Sequence, residues 1–254
     1  MLSQKEMTKK HPSKFDRPLL ENPVTYRIIF QKTGNLQFFS HLDLQRTWQR
    51  VLVRAEIPMW YTKGFNPHSK IVFGVPLPVG SEGLEEMVDL RIDREITCEE
   101  MKDQLNAELT SEMQVSAVYV PTTSFMDIAW ATYEMTLVTP GDAPAVAAAI
   151  NAYFAPDGDP IVMTKRSKSG DKEVDIRPMI HSLKASADMN GIIHIRATLR
   201  AGNTENLNPE YIIKAMRTAL GILPEDGNPD MVWYQILRIG FHTEKGVEKG
   251  NWFR

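Results

Sequence analysis

The sequence predicts an α+β protein of two tandem ferredoxin-like (βαββαβ) domains, and three observations lead there. The chain has 254 residues, more than the roughly 100–150 of a usual single domain. Runs of alternating hydrophobicity interleave with runs of helical periodicity. The same order then returns after a polar break at Pro121, Thr122, Thr123 and Ser124. Hydrophobic residues make up 43% of the chain and charged residues 24%, close to the averages for folded globular proteins, so each half can bury a core.

From Val24, Tyr26, Ile28 and Phe30 alternate with Thr25, Arg27, Ile29 and Gln31 to mark a half-buried strand, ended by a turn at Lys32-Thr33-Gly34-Asn35. A helix follows, capped by Ser40 with Asp43 as the reciprocal acid of a capping box. Leu44, Trp48, Val51, Leu52 and Ala55 form its apolar stripe, and Pro58 stops it. Alternation over 70–77 and 87–93 predicts two more strands joined by a Gly- and Pro-rich turn. Met101, Leu105 and Leu109 predict a helix over 97–109, and 113–120 is the last strand of a first domain spanning 23–121. A second domain, 125–245, repeats the pattern. It has strands at 129–138, 159–168, 181–188, 191–199 and 233–241, and helices at 143–154 and 209–220. Residues 1–22, with Lys5, Lys9, Lys10, Lys14, Arg17, Pro12 and Pro18, read as a disordered basic tail, and 246–254 as a second tail.

Several function classes are excluded. No apolar run approaches the roughly 20 residues of a membrane span, and Met1 to Glu6 start no signal-peptide core, so a cytoplasmic location is expected. Cys98 is the one cysteine of the chain. It rules out an internal disulfide and any site needing three or four thiolates from this chain, and no role is assigned to it.

Charge is unevenly placed. Residues 24–75 carry seven basic groups and two acids, whereas 76–121 carry three basic groups and eleven acids. Arg46, Arg50 and Arg54 recur every fourth residue as a stripe able to follow a phosphate backbone or an acidic partner, or to remain a solvated helix face. Two polar-aromatic segments flank that helix: Phe38 to Asp43, and Tyr61 to Lys70. Aromatic rings there suit stacking on unpaired bases, while Lys63, Lys70, Asn66, His41 and His68 suit phosphates or base edges. The expected substrate-binding set is Phe39, Ser40, His41, Asp43, Arg46, Arg50, Arg54, Lys63, Phe65, Asn66, His68 and Lys70. His41 and His68 are the candidates for acid–base work. Lys165, Arg166, Lys168, Lys172 and Arg177 form a secondary basic site. His41, Asp43 and His68 follow no known metal-ligand spacing, and no metal is expected.

Phe39-Ser40-His41-Leu42-Asp43, Arg50 to Pro58, Gly64-Phe65-Asn66-Pro67-His68 and Pro76 to Gly83 together resemble the radical SAM-linked protein family, or DUF2344 domain. The likeness runs through most of 24–245, with Lys168 to Pro178 matching its second recurring stretch. Members have no assigned activity and occur beside, or fused to, a radical SAM protein. The resemblance implies a partner that holds an iron–sulfur cluster and S-adenosylmethionine, with no cofactor in this chain. One cysteine cannot supply the three thiolates of such a cluster. The expected function is therefore substrate capture for that enzyme, with tRNA or rRNA as the substrate. Two alternatives stand beside it: a metal-independent endoribonuclease using His41 or His68 near Tyr61 and Lys70, and a protein-interaction module that binds no nucleic acid.

Overall fold

The computed structural model describes residues 13–165, 170–202, 205–224 and 232–254. Its first half runs β1 (Leu19–Lys32), α1 (His41–Arg54), β2 (Ile71–Phe73), β3 (Ser81–Arg94), α2 (Cys98–Glu108) and β4 (Val115–Tyr119). Its second half runs β5 (Trp130–Val138), α3 (Ala143–Tyr153), β6 (Val162–Lys165), β7 (Lys172–Asp175), β8 (Ile180–Ala187), β9 (Ile193–Arg200), α4 (Glu210–Leu220) and β10 (Trp233–His242), followed by α5 (Glu244–Glu248).

Local sequence explains most boundaries. Ser40 and Asp43 close a capping box on α1, while Thr97 caps α2 and Asp142 caps α3; each satisfies backbone N–H groups that a helix start leaves without partners. Gly221, at φ 65°, ends α4 in the left-handed conformation that a side chain disfavours. Helix α1 buries Leu44, Trp48, Val51 and Leu52 against Ile28, Phe30, Val88, Leu90 and Ile92. By strand alternation, Ile29 and Met87 point to the opposite face, where they join the core built by α3, α4, β5 and β9.

The protein is a mixed α+β structure with five helices and one large sheet of eight strands among the described residues. Strand order is β4-β1-β3-β10-β5-β9-β8, with β2 also on β3. A parallel register of Ile236, Leu237 and Arg238 against Ser81, Glu82 and Gly83 joins the halves into that one sheet. Hairpin β6–β7 forms a separate two-stranded sheet in place of a single strand over 159–168, of which 166–168 lie outside the described residues.

Three expectations need correction. The strand expected at 70–77 shrinks to 71–73, because Pro76 has no N–H to give and the carbonyls of Val75 and Pro76 accept from Arg238 instead. The strand expected at 87–93 extends back to Ser81, where it reaches β10. The tails are also shorter than expected. Residues 13–22 are tied down, since Arg17 is buried, ion-paired to Glu100 at 2.6 Å and bonded to the carbonyl of Glu95, and β1 starts at Leu19; residues 1–12 lie outside the described residues. Residues 246–254 pack as well: Phe253 is buried and Arg254 pairs with Glu85 at 2.8 Å. A tail with no apolar periodicity is fastened here by single long-range contacts, which periodicity does not register.

At the seam lies a buried ionic cluster. Arg238 donates to both carboxylate oxygens of Glu86, at 2.9 and 2.5 Å, and to the carbonyl of Val75 at 2.7 Å. Lys32, also buried, donates to the carbonyl of Gln37 at 3.3 Å. Burial pushes its ammonium pKa down, Glu86 opposes that shift, and Arg238 adds to it. Glu82 accepts from the backbone N–H of Gly34 and from the side-chain amide of Gln235, both at 2.5 Å. Removing one partner of such a pair strands a charge away from water. Arg238→Met is expected to lower unfolding free energy by about 3–5 kcal/mol in urea titrations, and adding Glu86→Leu to restore part of the loss.

Behind the seam, His242 accepts from the Thr132 hydroxyl through Nε2 at 2.9 Å and donates through Nδ1 to the Asn251 carbonyl at 2.8 Å. It also stacks on Trp252 at 4.5 Å. Burial is the main cause lowering its pKa, so the neutral ring is the folded form. The unfolded chain then binds the extra proton first, and stability contributed by this site is lost as pH falls below the ordinary histidine value of about 6.5. The fall in melting temperature between pH 7 and pH 5 should be smaller in His242→Gln than in the parent chain.

Candidate functional site

The order in which β3 alternates decides which polar groups meet. Leu90 and Ile92 face α1, so Asp89 and Arg91 face the other side of the sheet. Antiparallel pairing sets Thr25 opposite Arg91, and Arg27 and Val72 opposite Asp89, on that same side. Thr25, Val72, Asp89 and Arg91 floor a cleft of about 570 Å³, walled by Lys70, Gly74, Pro121 and the Thr123–Met126 connector between the two halves. Arg27 is buried and forks onto both oxygens of Asp89 at 2.8 and 2.9 Å, and its guanidinium lies 4.1 Å from the Phe125 ring centre. The carboxylate of Asp89 is thus matched. Lys70 and Arg91 close no ion pair among the described residues.

Both ends of the Tyr61–Ser69 segment hang from Arg91. Its backbone carbonyl accepts from Trp60 at 2.8 Å, and its N–H donates to Lys70 at 3.3 Å. Tyr61 bridges Ser69, and Thr62 donates to the His68 carbonyl at 3.0 Å, so the segment stands off the sheet edge as a hairpin-like flap. Lys63, Phe65, Asn66 and His68 are all exposed on it, with Phe65 at 112%. The His68 ring shares Nδ1 between the Thr62 hydroxyl at 3.1 Å and the Asn66 carbonyl at 3.3 Å, which holds the tip of the flap.

Helix α1 carries the rest of the expected set on the other side of the edge. Phe39 ends a short 3-10 turn before the cap. Ser40 and Asp43 serve the helix start, and hydrogen bonds from Ser40 hold the Asp43 carboxyl below the usual range. His41 is exposed and sets its ring edge to face against Phe73 at 5.2 Å. Arg46 and Arg50 are exposed and close no ion pair among the described residues, whereas Arg54 is engaged by Glu108 of α2 at 2.9 Å. The set therefore occupies three adjoining places: α1 on the helix layer, the flap at the edge, and Lys70 with the cleft on the opposite face. Arg91, Thr25, Val72 and Phe125 are absent from it. Counting charge along the chain assigned Arg91 to an acid-rich stretch, although its alternation with Leu90 was legible.

Among the described residues, no three His, Cys, Asp or Glu side chains are grouped to hold a metal ion, and no helix is long and apolar enough to cross a membrane. The secondary basic site has a different character from the flap. Arg166, Lys168 and the side chain of Lys165 lie outside the described residues, and Lys172 is exposed on β7. Arg177 donates to three backbone carbonyls, of Tyr153 at 2.9 Å, Asp159 at 2.6 Å and Ala155. A Cβ on Gly158 would stand 2.8 Å from that guanidinium, so a side chain there would have to displace the clamp. With Asp175, which accepts from the N–H groups of Ile161 and Arg177, it frames a cleft of about 630 Å³ that His181 also lines.

A family model described as "Uncharacterized protein conserved in bacteria (DUF2344)" matches residues 25–209. The chain belongs to the DUF2344 family. The match takes in the cleft floor, the flap, α1 and the Arg177 clamp, and stops before β10. No curated protein matches the chain. Solved structures similar to it include an unknown protein from Galdieria sulphuraria, at 8% identity and TM-score 0.25 over 85% of this chain and 99% of that one. Another is described as "putative glycine cleavage system transcriptional repressor", at 12% identity and TM-score 0.22 over 85% and 98%.

Because Arg177 spends its donors on main-chain carbonyls, its removal leaves those acceptors without partners. Arg177→Ala is expected to destabilise the protein by about 2–3 kcal/mol in urea unfolding, more than Lys172→Ala, which should leave the midpoint nearly unchanged.

Proposed function

We propose that this protein captures RNA, tRNA or rRNA, for a radical SAM enzyme and performs no radical chemistry itself. The observation that carries the RNA reading is the flap. It presents Phe65 wholly to solvent beside Lys63, with cations that close no ion pair among the described residues on both sides: Arg46 and Arg50 on α1, Lys70 and Arg91 in the cleft. An apolar ring held out among cations suits stacking on an unpaired base while the charges follow the phosphates. The partner reading rests on the likeness of the 39–43, 64–68 and 76–83 motifs to radical SAM-linked proteins. Cys98 alone is too few thiolates for a cluster of this chain's own.

On this reading the chain works in the cytoplasm as two ferredoxin-like units, 23–121 and 125–245. The strand orders β4-β1-β3-β2 and β10-β5-β9-β8 support that division, since each half places its last strand beside its first and its first beside its third.

Fluorescence anisotropy with a labelled single-stranded RNA tests the surface. Affinity is expected to fall roughly tenfold or more between 50 and 200 mM salt. Combined Arg46→Glu, Arg50→Glu and Lys63→Glu should remove binding while the melting temperature holds. Unchanged affinity in that variant would place RNA elsewhere or nowhere. The partner is tested by co-expression with the neighbouring radical SAM protein: a stable co-purifying pair is expected, and iron bound by this chain alone would overturn the division of labour.

A further inference from the structure

Building on the RNA reading, we propose that the cleft between the outer face of β1–β3–β2 and the Thr123–Met126 connector binds a nucleoside monophosphate, free or as the phosphorylated end of an RNA. Its phosphate sits at Lys70 and Arg91 and its base against Val72, Phe125 and Met126. Four observations meet here. The cleft holds about 570 Å³, within the roughly 300–1,000 Å³ of small-molecule sites. Its one floor carboxylate, Asp89, is matched by the buried Arg27 fork, and Asp93, next outward on β3, does not line it. Lys70 and Arg91 line the cleft and close no ion pair among the described residues, the Arg91 guanidinium lying 5.8 Å from the Trp60 ring centre.

These two cations differ usefully. A lysine ammonium is a compact point charge, whereas a guanidinium offers two parallel N–H donors to one phosphate. The dianionic monoester of a terminal phosphate suits the pair better than the single charge of an internal phosphodiester. Apolar side chains line the cleft as well: Val72 on the floor is 42% and Met126 on the connector 70% exposed, and Phe125 is held by Arg27. A planar base fits against such a wall better than a bare anion or a sugar does. Finally, the flap hangs from the backbone of Arg91 itself, so the residue that would hold the phosphate also anchors the segment carrying Phe65.

Isothermal titration of the full chain tests this with adenosine monophosphate, adenosine and inorganic phosphate, and with a short oligoribonucleotide carrying or lacking a terminal phosphate. Adenosine monophosphate, the phosphorylated oligonucleotide or both should bind at least tenfold more tightly than adenosine, inorganic phosphate and the hydroxyl-ended oligonucleotide. Binding of the free nucleotide alone identifies a small-molecule ligand, and binding of the oligonucleotide alone identifies an RNA end. Lys70→Gln and Arg91→Gln, each shown folded by circular dichroism, should weaken the preferred ligand at least tenfold, while Lys214→Gln, at an exposed position on α4, should not. No preference for the phosphorylated ligands, or equal affinity in both cleft variants, overturns the proposal. RNA binding that persists without any terminal-phosphate preference sinks the cleft alone; nucleotide binding without RNA binding sinks the RNA reading alone.

Discussion

Glu86 on β3 and Arg238 on β10 lie 152 residues apart in the chain and meet where both are buried, with Val75, Pro76 and Tyr133 closing around them. The short parallel pairing of β3 with β10 that joins the two halves into one sheet lies beside this contact. Three residues of parallel pairing offer few hydrogen bonds, and the ion pair adds directional ones in a place where leaving either charge alone is costly. The pair also fixes the path of the 74–78 loop, because the Val75 and Pro76 carbonyls turn inward to the guanidinium. A Cβ on Gly83 would overlap the Glu86 side chain, so glycine is required where the chain crosses the pair. The Pro76 to Gly83 motif is explained by this packing, with no ligand needed to account for it.

That constraint has a consequence for the cleft. Gly74, at the turn set by the inward carbonyls, lies against Phe125, and Phe125 is held over by Arg27. Arg27 in turn binds Asp89 and the Thr123 hydroxyl and carbonyl. The connector between the halves is thus pinned to the sheet by one buried guanidinium, and Thr123 is pinned again by its hydroxyl donating to the Arg254 carbonyl at 2.6 Å. Rigid walls and a freely standing flap adjoin each other here. The walls carry dense hydrogen bonding, while the flap carries a few local bonds and a fully exposed aromatic side chain. Such a division lets one part preorganise a ligand and the other adapt to it.

Two motif segments that read alike in the sequence turn out to differ in purpose. Polar residues of the Ser40–Asp43 stretch are occupied in capping α1, and Arg177 of the second stretch in clamping three carbonyls. In Tyr61 to Lys70, by contrast, the side chains of Lys63, Phe65 and Lys70 have no such duty among the described residues. A dense cluster of polar and aromatic types marks a segment as constrained, and only the list of partners tells whether the constraint is the fold's own or is left for a ligand.

The sequence by itself determined the element order, the helix caps and the apolar stripes, since these depend on neighbours within a few residues: Ser40 with Asp43, Leu44 with Trp48, Tyr26 with Ile28 and Phe30. It also showed which loop was rich in aromatic and basic groups. Tertiary structure alone decided that the halves share one sheet, that β3 starts at Ser81, and that Arg17 and Phe253 anchor segments that looked like tails. It likewise decided that Arg91 joins Lys70 in a cleft while Arg54 is taken by Glu108. Each of these depends on pairing between residues tens to more than a hundred positions apart. A one-residue change of register turns a strand's side chains to the other face, so no local pattern encodes which distant partner a charge will meet.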